Sequence, residues 1–181
     1  KELLDAKDTT FPENYLTLSE KKQVAVLSKI KGDIDPSIFS DEMLVKTLQS
    51  IQAIKEIQYR NGKRGANRYI ISNNQTALNV MQTFAMLNLS GFGDVLPVDV
   101  IPLFETVDDL QNAASVMRTL YTNTAYRTHV SHRKDKQTIM LGFSDGTKDG
   151  GYLMANWSIF KAKEELTAIS REFGIEVIFF D

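Results

Sequence analysis

Hydrophobic positions divide the chain into two regions with different spacing. Up to about residue 66, apolar residues recur every three or four positions, which is the spacing of one helix face. The first such stretch, "LSEKKQVAVLSKI", carries Leu18, Val24, Leu27 and Ile30. The second, "SDEMLVKTLQSIQAIKEIQY", repeats the spacing, and Ser40 is well placed to cap it. We therefore predict a helical segment over residues 1–66.

From residue 67 onward, short apolar runs rich in β-branched residues alternate with amphipathic stretches. The runs that predict strands are residues 69–71, 98–101, 138–141 and 175–179. A helical pattern lies between each successive pair, and Thr106 with Asp109 has the spacing of a capping box. Strands that alternate with helices favour a parallel sheet in an α/β fold. The pattern alone fits either half of a (β/α)₈ barrel or a small open sheet.

Composition narrows the class of protein. The 181-residue chain carries a formal net charge of −2, so it offers no basic field for nucleic acid. It contains no cysteine, which excludes a disulfide scaffold and a thiolate metal site and favours a reducing compartment such as the cytoplasm. No apolar run reaches the ~18 residues of a membrane helix, so we expect a soluble protein. The chain ends directly after an apolar run, and we expect it to be a fragment.

Polar residues follow the predicted strands at their carboxyl ends, where α/β folds bind ligands. Glu105 follows the second strand, and Asp145 and Lys148 follow the third in "FSDGTKDGG", which we interpret as a ligand-holding loop. Two carboxylates suit Mg²⁺ or Mn²⁺, and Lys148 can hold a phosphate or carboxylate group. The alternative is structural: Glu105 can favour the start of the next helix, and Asp145 can be an N-cap.

Other candidate residues point to structural roles. His129 and His132 are predicted to lie in the loop before the third strand, in contact with solvent, because nothing nearby has ligand spacing. Trp157, with Leu153 and Phe160, is predicted to serve helix packing rather than base stacking. The chain has no phosphate-binding loop, dinucleotide fingerprint or nucleophile elbow.

Two long stretches carry a specific resemblance. "VIPLFETVDDLQNA" and "QTIMLGFSDGTKDGGYLMANW" closely resemble the phosphoenolpyruvate carboxylase family, with its segments P-L-F-E-T-x-x-D-L and M-x-G-Y-S-D-S-x-K-D-x-G. The resemblance covers most of residues 67–181 and, more loosely, the helical part before them. Phe143 replaces the usual tyrosine, Gly146-Thr147 replaces the commoner serine and small residue, and Asn73-Asn74 follows the first strand where the family differs.

The resemblance implies a partial (β/α) TIM-type barrel with about four parallel strands over residues 67–181, after the helical segment. It implies that Glu105 and Asp145 bind Mg²⁺ or Mn²⁺ and that Lys148 lies at the active site. The implied enzyme uses phosphoenolpyruvate and bicarbonate to make oxaloacetate and phosphate, and its full-length form is a homotetramer.

The family's catalytic histidine and its arginine-rich loop are not among these residues, so the chain alone is expected to be inactive. Four strands of an expected eight leave two open sheet edges, so the chain is also expected to self-associate. Two alternatives stay open. One is another magnesium-dependent barrel enzyme that acts on phosphoenolpyruvate or a related enolate. The other is a non-catalytic module that keeps the half-barrel only for assembly.

Overall fold

The computed structural model describes residues 11–180, which form an α/β fold. Its α-helices in this range are α1 (Glu20–Leu27), α2 (Glu42–Asn61), α3 (Ala77–Asn88), α4 (Val107–Thr122), α5 (Thr124–His132), α6 (Phe143–Gly150) and α7 (Tyr152–Glu172). Its strands are β1 (Arg68–Ile71), β2 (Asp99–Phe104), β3 (Lys136–Leu141) and β4 (Glu176–Phe180). Short 3₁₀ turns lie at Tyr15–Thr17, Pro36–Ile38 and Lys63–Ala66. The predicted helical pattern over residues 1–10 lies outside the described residues.

The four strands form one parallel sheet in the order β1-β2-β3-β4. Each strand is joined to the next through at least one helix, as parallel pairing requires. This confirms the predicted α/β class and the partial (β/α) barrel. All four carboxyl ends therefore lie at the same edge of the sheet, and that edge holds the candidate residues.

Burial separates the middle of the sheet from its edges. Most residues of β2 and β3 are buried, among them Val100, Phe104 and Ile139, each with at most 1% of its surface exposed. Outward-facing residues of the edge strand β4 stay accessible, and Phe180 is 50% exposed. The apolar stripes of α4 and α7 pack against the sheet. Their buried members include Leu110, Ala113, Met117, Leu120, Ala155, Ile159, Ala162 and Leu166.

The chain divides into two compact units, and the sheet belongs to only one of them. The sheet unit comprises Arg68–Val80 and Asp99–Asp181, and the other unit comprises Lys1–Asn67 and Met81–Val98. The second unit has its own apolar core, which includes Val24, Leu27, Ile30, Leu48 and Ile51. The domain boundary at residue 66 stays a prediction.

The cap of α2 is one residue further along than expected. Asp41, not Ser40, is the N-cap, and its carboxylate accepts a hydrogen bond of 2.9 Å from the Leu44 N–H. A carboxylate here has the added advantage that it meets the positive end of the helix dipole.

Two helices of the structure are absent from the sequence prediction. Residues that we expect to form a loop before the third strand instead form α5, which Asn123 caps by accepting the Tyr126 N–H at 3.1 Å. His129 and His132 lie in this helix, and His129 is only 6% exposed, so the prediction of a solvated loop histidine is wrong for it. The predicted ligand-holding loop is also helical, as α6.

The aromatic residues of α7 lie on its outer face. Trp157 stacks on Phe160 with ring centroids 5.9 Å apart, but these side chains are 60% and 59% exposed, and Leu153 is 81% exposed. The expectation that they serve helix packing is therefore wrong within the described residues. The opposite face of α7, with Ala155 and Ile159, makes the helix contacts instead.

Candidate active site

Glu105 lies directly after β2, and capping of the next helix does not use its carboxylate. Thr106 and Asp109 form a capping box at the start of α4: Thr106 Oγ1 accepts the Asp109 N–H, and Asp109 Oδ2 accepts the Thr106 N–H, both at 3.1 Å. Glu105 is half-buried, and its Oε1 accepts the backbone N–H of Asn73, at the end of β1, at 2.9 Å. Hydrogen-bond capping of α4 therefore does not need Glu105, whereas the alternative that its charge favours the positive end of the helix dipole stays open.

Asp145 lies in the first turn of α6, which follows the neighbouring strand β3. The N-cap of this helix is Gly142, and no side chain caps it, so Asp145 is not an N-cap. Its Oδ1 lies 3.1 Å from Lys148 Nζ, and both side chains are at least half exposed. Asp145 therefore keeps carboxylate oxygens accessible at the edge where Glu105 lies.

A face of three glycines lets α6 lie close to the turn after β2. Gly142, Gly146 and Gly150 recur every four residues, which places them on one side of the helix. A methyl group added at Gly142 would lie 3.1 Å from Glu105 Cα, and one at Gly150 would lie 2.8 Å from Val107 Cγ2. Larger residues on this face would push α6 away, so the glycines bring the segment that carries Asp145 next to Glu105.

Asp149 fixes the same contact with a hydrogen bond. Its Oδ2 accepts the backbone N–H of Val107, the first residue of α4, at 2.9 Å. The bond satisfies one of the unpaired N–H groups of a helix start from a different element. The sequence gives no sign of this role, because Val107 and Asp149 are separated along the chain by α4, α5 and β3.

Comparison with known proteins decides the family. The family model described as phosphoenolpyruvate carboxylase matches residues 1–181, the whole chain. A phosphoenolpyruvate carboxylase from Corynebacterium diphtheriae is 36% identical over 172 residues, which are 90% of this chain. The chain belongs to the phosphoenolpyruvate carboxylase family. It spans 19% of the length of that relative.

The side chains at this edge suit a hard divalent cation, as the carboxylase family implies. Within residues 11–180, no group of three or more histidine, cysteine, aspartate or glutamate side chains could hold a metal ion. Glu105 and Asp145 offer two carboxylates at this edge, a number that suits Mg²⁺, because this ion usually keeps water and substrate oxygens in its remaining positions. The donor set therefore fits such an ion, and Lys148 Nζ, 3.1 Å from Asp145 Oδ1, would compete with it for that oxygen.

Asn74, which follows β1, is a buried polar residue whose environment the sequence does not predict. It follows Asn73 at the end of β1, its side chain is 0% exposed, and neither Nδ2 nor Oδ1 has a hydrogen-bond partner. The only signal in the sequence is the departure of Asn73-Asn74 from the carboxylase pattern.

His129 lies elsewhere, near the amino ends of the strands. Burial lowers the pKa of His129 to about 4, although the nearby Asp99 carboxylate opposes the shift. Close by, the Tyr126 hydroxyl donates to Gln137 Oε1 at 3.0 Å, and Gln137 Nε2 donates to the Val100 carbonyl at 3.0 Å. These buried groups of Tyr126, Gln137 and Val100 bond to one another and stabilise the amino end of the sheet.

A membrane segment is also absent from the part of the chain that the structure covers, where every helix is too short or too polar to cross a bilayer.

Proposed function

We propose that this chain supplies the metal carboxylates of a phosphoenolpyruvate carboxylase. The full-length enzyme would convert phosphoenolpyruvate and bicarbonate to oxaloacetate and phosphate with Mg²⁺ or Mn²⁺. The main support is the position of Glu105, which lies at the carboxyl edge of a parallel sheet and is not used to cap α4. Because the chain spans 19% of its relative, the activity is proposed for the longer protein.

Each side chain has a distinct role in this proposal. Glu105 and Asp145 hold the cation through carboxylate oxygens, and Asn73 orients Glu105 through its N–H at 2.9 Å. A bound cation would supply Lewis-acid stabilisation of the negative charge that develops on phosphate and enolate oxygens. Lys148, whose Nζ lies 3.1 Å from Asp145 Oδ1, would then turn to the substrate's phosphate or carboxylate group as a mobile positive charge.

The chain by itself is proposed to be inactive and to bind Mg²⁺ weakly. Two carboxylates fill few of the about six positions around Mg²⁺, and substrate oxygens are needed for more. The Lys148 ammonium also disfavours a cation nearby through charge repulsion. An assay that couples oxaloacetate formation to its reduction should therefore show no turnover by the isolated chain above a blank.

Asp145→Asn in the full-length protein tests the metal assignment. The amide keeps the shape and loses the charge, so we expect carboxylation to be abolished while the protein stays folded. Asp94→Asn is a matched control, because Asp94 is also an exposed aspartate that pairs with a lysine, Lys31, at 3.3 Å. Near-normal turnover of Asp145→Asn at saturating magnesium would reject the proposal.

The same assay separates the alternatives. Another magnesium-dependent enzyme of phosphoenolpyruvate or a related enolate would consume its substrate without bicarbonate-dependent oxaloacetate. An assembly module would show neither reaction. A homotetramer is also proposed for the full-length protein, and sedimentation analysis measures it directly.

A further inference from the structure

Asn73, which follows β1, has a backbone conformation that is rare for a residue with a side chain. Its φ is 50°, in the left-handed region where most side chains clash with their own backbone. Asparagine tolerates this region better than most residues, and β-branched residues tolerate it least. The Asn73 side chain is exposed, so packing in the core does not explain the conformation. What the conformation does determine is the direction of the backbone N–H.

The N–H of Asn73 points to the side chain of Glu105. It donates to Glu105 Oε1 at 2.9 Å and so joins the end of β1 to the end of β2. Within residues 11–180 the Glu105 carboxylate forms no other hydrogen bond, so Oε2 keeps its lone pairs for a cation. Any residue except proline has a backbone N–H, so the contact does not depend on the side-chain amide of Asn73.

Two other non-glycine residues in the described part of the chain have a positive φ, and their N–H groups have different partners. They are Lys134 and Asp135, with φ of 66° and 53°, in the turn between α5 and β3. Their N–H groups donate to the backbone carbonyls of Ser131 and Val130, each at 3.0 Å, which satisfies the end of α5. Of the three left-handed residues, Asn73 is thus the one whose N–H donates to a side chain, the proposed metal carboxylate.

We propose that the left-handed backbone at Asn73 positions Glu105 for the divalent cation. The N–H holds Oε1, so the Glu105 side chain is ordered before the cation binds to Oε2. Carboxylates that bind metals are commonly held by such hydrogen bonds, and loss of the partner lowers metal affinity about 10–100-fold. The inference rests on the proposed carboxylase function and adds a positioning residue to that site. It also gives a physical reason for the asparagine at residue 73, where the chain departs from the family pattern.

Substitutions of Asn73 in the full-length protein separate the role of the backbone from that of the side chain. Asn73→Gly keeps the N–H and the left-handed conformation, so Mn²⁺ should bind within about twofold of wild type. Asn73→Val disfavours the conformation, so the N–H should leave Glu105 and the dissociation constant for Mn²⁺ should rise about 10–100-fold. Asn73→Ala should lie between the two. The electron paramagnetic resonance signal of free Mn²⁺, with phosphoenolpyruvate present and bicarbonate absent, measures binding without turnover.

Lys134→Val is the matched control. Lys134 is also exposed and left-handed, but its N–H donates to the Ser131 carbonyl at the other end of the sheet. Lys134→Val should lower the thermal midpoint about as much as Asn73→Val, because both place a β-branched residue in the same strained conformation. It should leave the dissociation constant for Mn²⁺ unchanged. A role in stability alone would lower the midpoint in both variants and change metal binding in neither.

The outcomes distinguish this inference from the proposed function. If wild type binds Mn²⁺ and Asn73→Val binds it equally well, Asn73 does not position Glu105, and the proposed function stands. If Asn73→Gly loses as much affinity as Asn73→Val, the side chain is responsible and the assignment to the backbone is wrong. If Asn73→Val does not fold, Asn73→Ala takes its place, and equal affinities of Asn73→Ala and Asn73→Gly overturn the assignment. Wild type that binds no Mn²⁺ under these conditions would overturn the proposed function itself.

Discussion

The two ends of the parallel sheet hold their polar groups in opposite states. At the amino end, the Tyr126 hydroxyl and the Gln137 amide are buried and bonded at 3.0 Å. At the carboxyl end, Asp145 and Lys148 are exposed, and Glu105 is half-buried. Buried polar groups that form hydrogen bonds with one another stabilise the protein, but they have few free donors or acceptors with which to bind a ligand. Carboxylates that keep accessible oxygens add little to stability and can bind a cation.

The contrast also explains why one sheet can support both roles. In parallel α/β folds, the loops after the strands carry the chemistry, and the opposite end stabilises the fold. We therefore expect substitutions at the carboxyl end to change activity with little loss of stability. Those at the amino end should do the reverse. The predictions below test this separation, from the largest expected effect to the smallest.

Among the variants that test this contrast, Glu105→Gln in the full-length protein should have the largest effect. Loss of one metal carboxylate removes several kcal/mol of charge stabilisation, so kcat/KM should fall on the order of 10³-fold. Hydrogen exchange in α4 should not change, because Thr106 and Asp109 cap that helix. Glu176→Gln, at the amino end of β4, is the control and should retain nearly full activity. Similar losses in both variants would break the comparison.

At the amino end of the sheet, His129 should make the free energy of unfolding depend on pH. Its pKa is about 4 when folded and ordinarily 6.5, so the unfolded chain takes up its proton first as the pH falls. The free energy of unfolding should thus decrease between pH 6.5 and 4, by roughly 3 kcal/mol in total, and change little from this source above pH 6.5.

Hydrogen exchange of amides in α5 and β3, measured across this pH range, checks the expectation. His129→Gln should flatten the dependence, whereas His132→Gln should not, because His132 is exposed. If hydrogen exchange in His129→Gln still depended on pH in the same way, groups other than His129 would cause the acid sensitivity.

Tyr126→Phe should cost stability without affecting chemistry. It deletes the hydroxyl that donates to Gln137 Oε1 and leaves that oxygen buried with one partner fewer. The expected loss is about 1–3 kcal/mol in the opening free energy of β3, with kcat/KM unchanged for the folded protein. A reduced kcat/KM at full folding would show that the two ends of the sheet are coupled.

The sequence predicts those parts of the fold in which one pattern repeats over several turns. The helix predicted to follow the second strand occurs in the structure as α4, with the expected capping box of Thr106 and Asp109. The observed strands agree with the predicted ones within a few residues, because short runs of β-branched residues between helices usually form strands. The family motifs place Glu105 and Asp145 after neighbouring strands, and their role as metal ligands stays a prediction.

What the sequence does not predict depends on contacts between distant segments. Helix α6 is rich in glycine and aspartate, which are weak helix formers, and it forms against the turn that carries Glu105. Only Asn123 lies between α4 and α5, so the apolar positions of the two helices run together in the sequence and do not indicate a separate helix. The burial of His129 and the missing partners of Asn74 are properties of the assembled sheet, and spacing along the chain does not encode them.

Asp149 should give the smallest effect, because it acts on the site only through position. Asp149→Ala removes the acceptor for the Val107 N–H, and loss of a helix cap costs about 1 kcal/mol. Hydrogen exchange at the first turn of α4 should therefore become faster, and kcat/KM should fall only severalfold as α6 shifts against Glu105. Asp149→Asn keeps a carbonyl acceptor and should recover most of both losses.

Asp41→Ala supplies the control for capping alone, since Asp41 accepts the Leu44 N–H at the same distance of 2.9 Å in α2. It should speed exchange in α2 and leave kcat/KM unchanged. If Asp149→Asn were as inactive as Glu105→Gln, the Asp149 carboxylate would itself take part in binding the metal or the substrate. The carboxyl end would then hold three functional carboxylates, and its contrast with the amino end would be sharper than proposed.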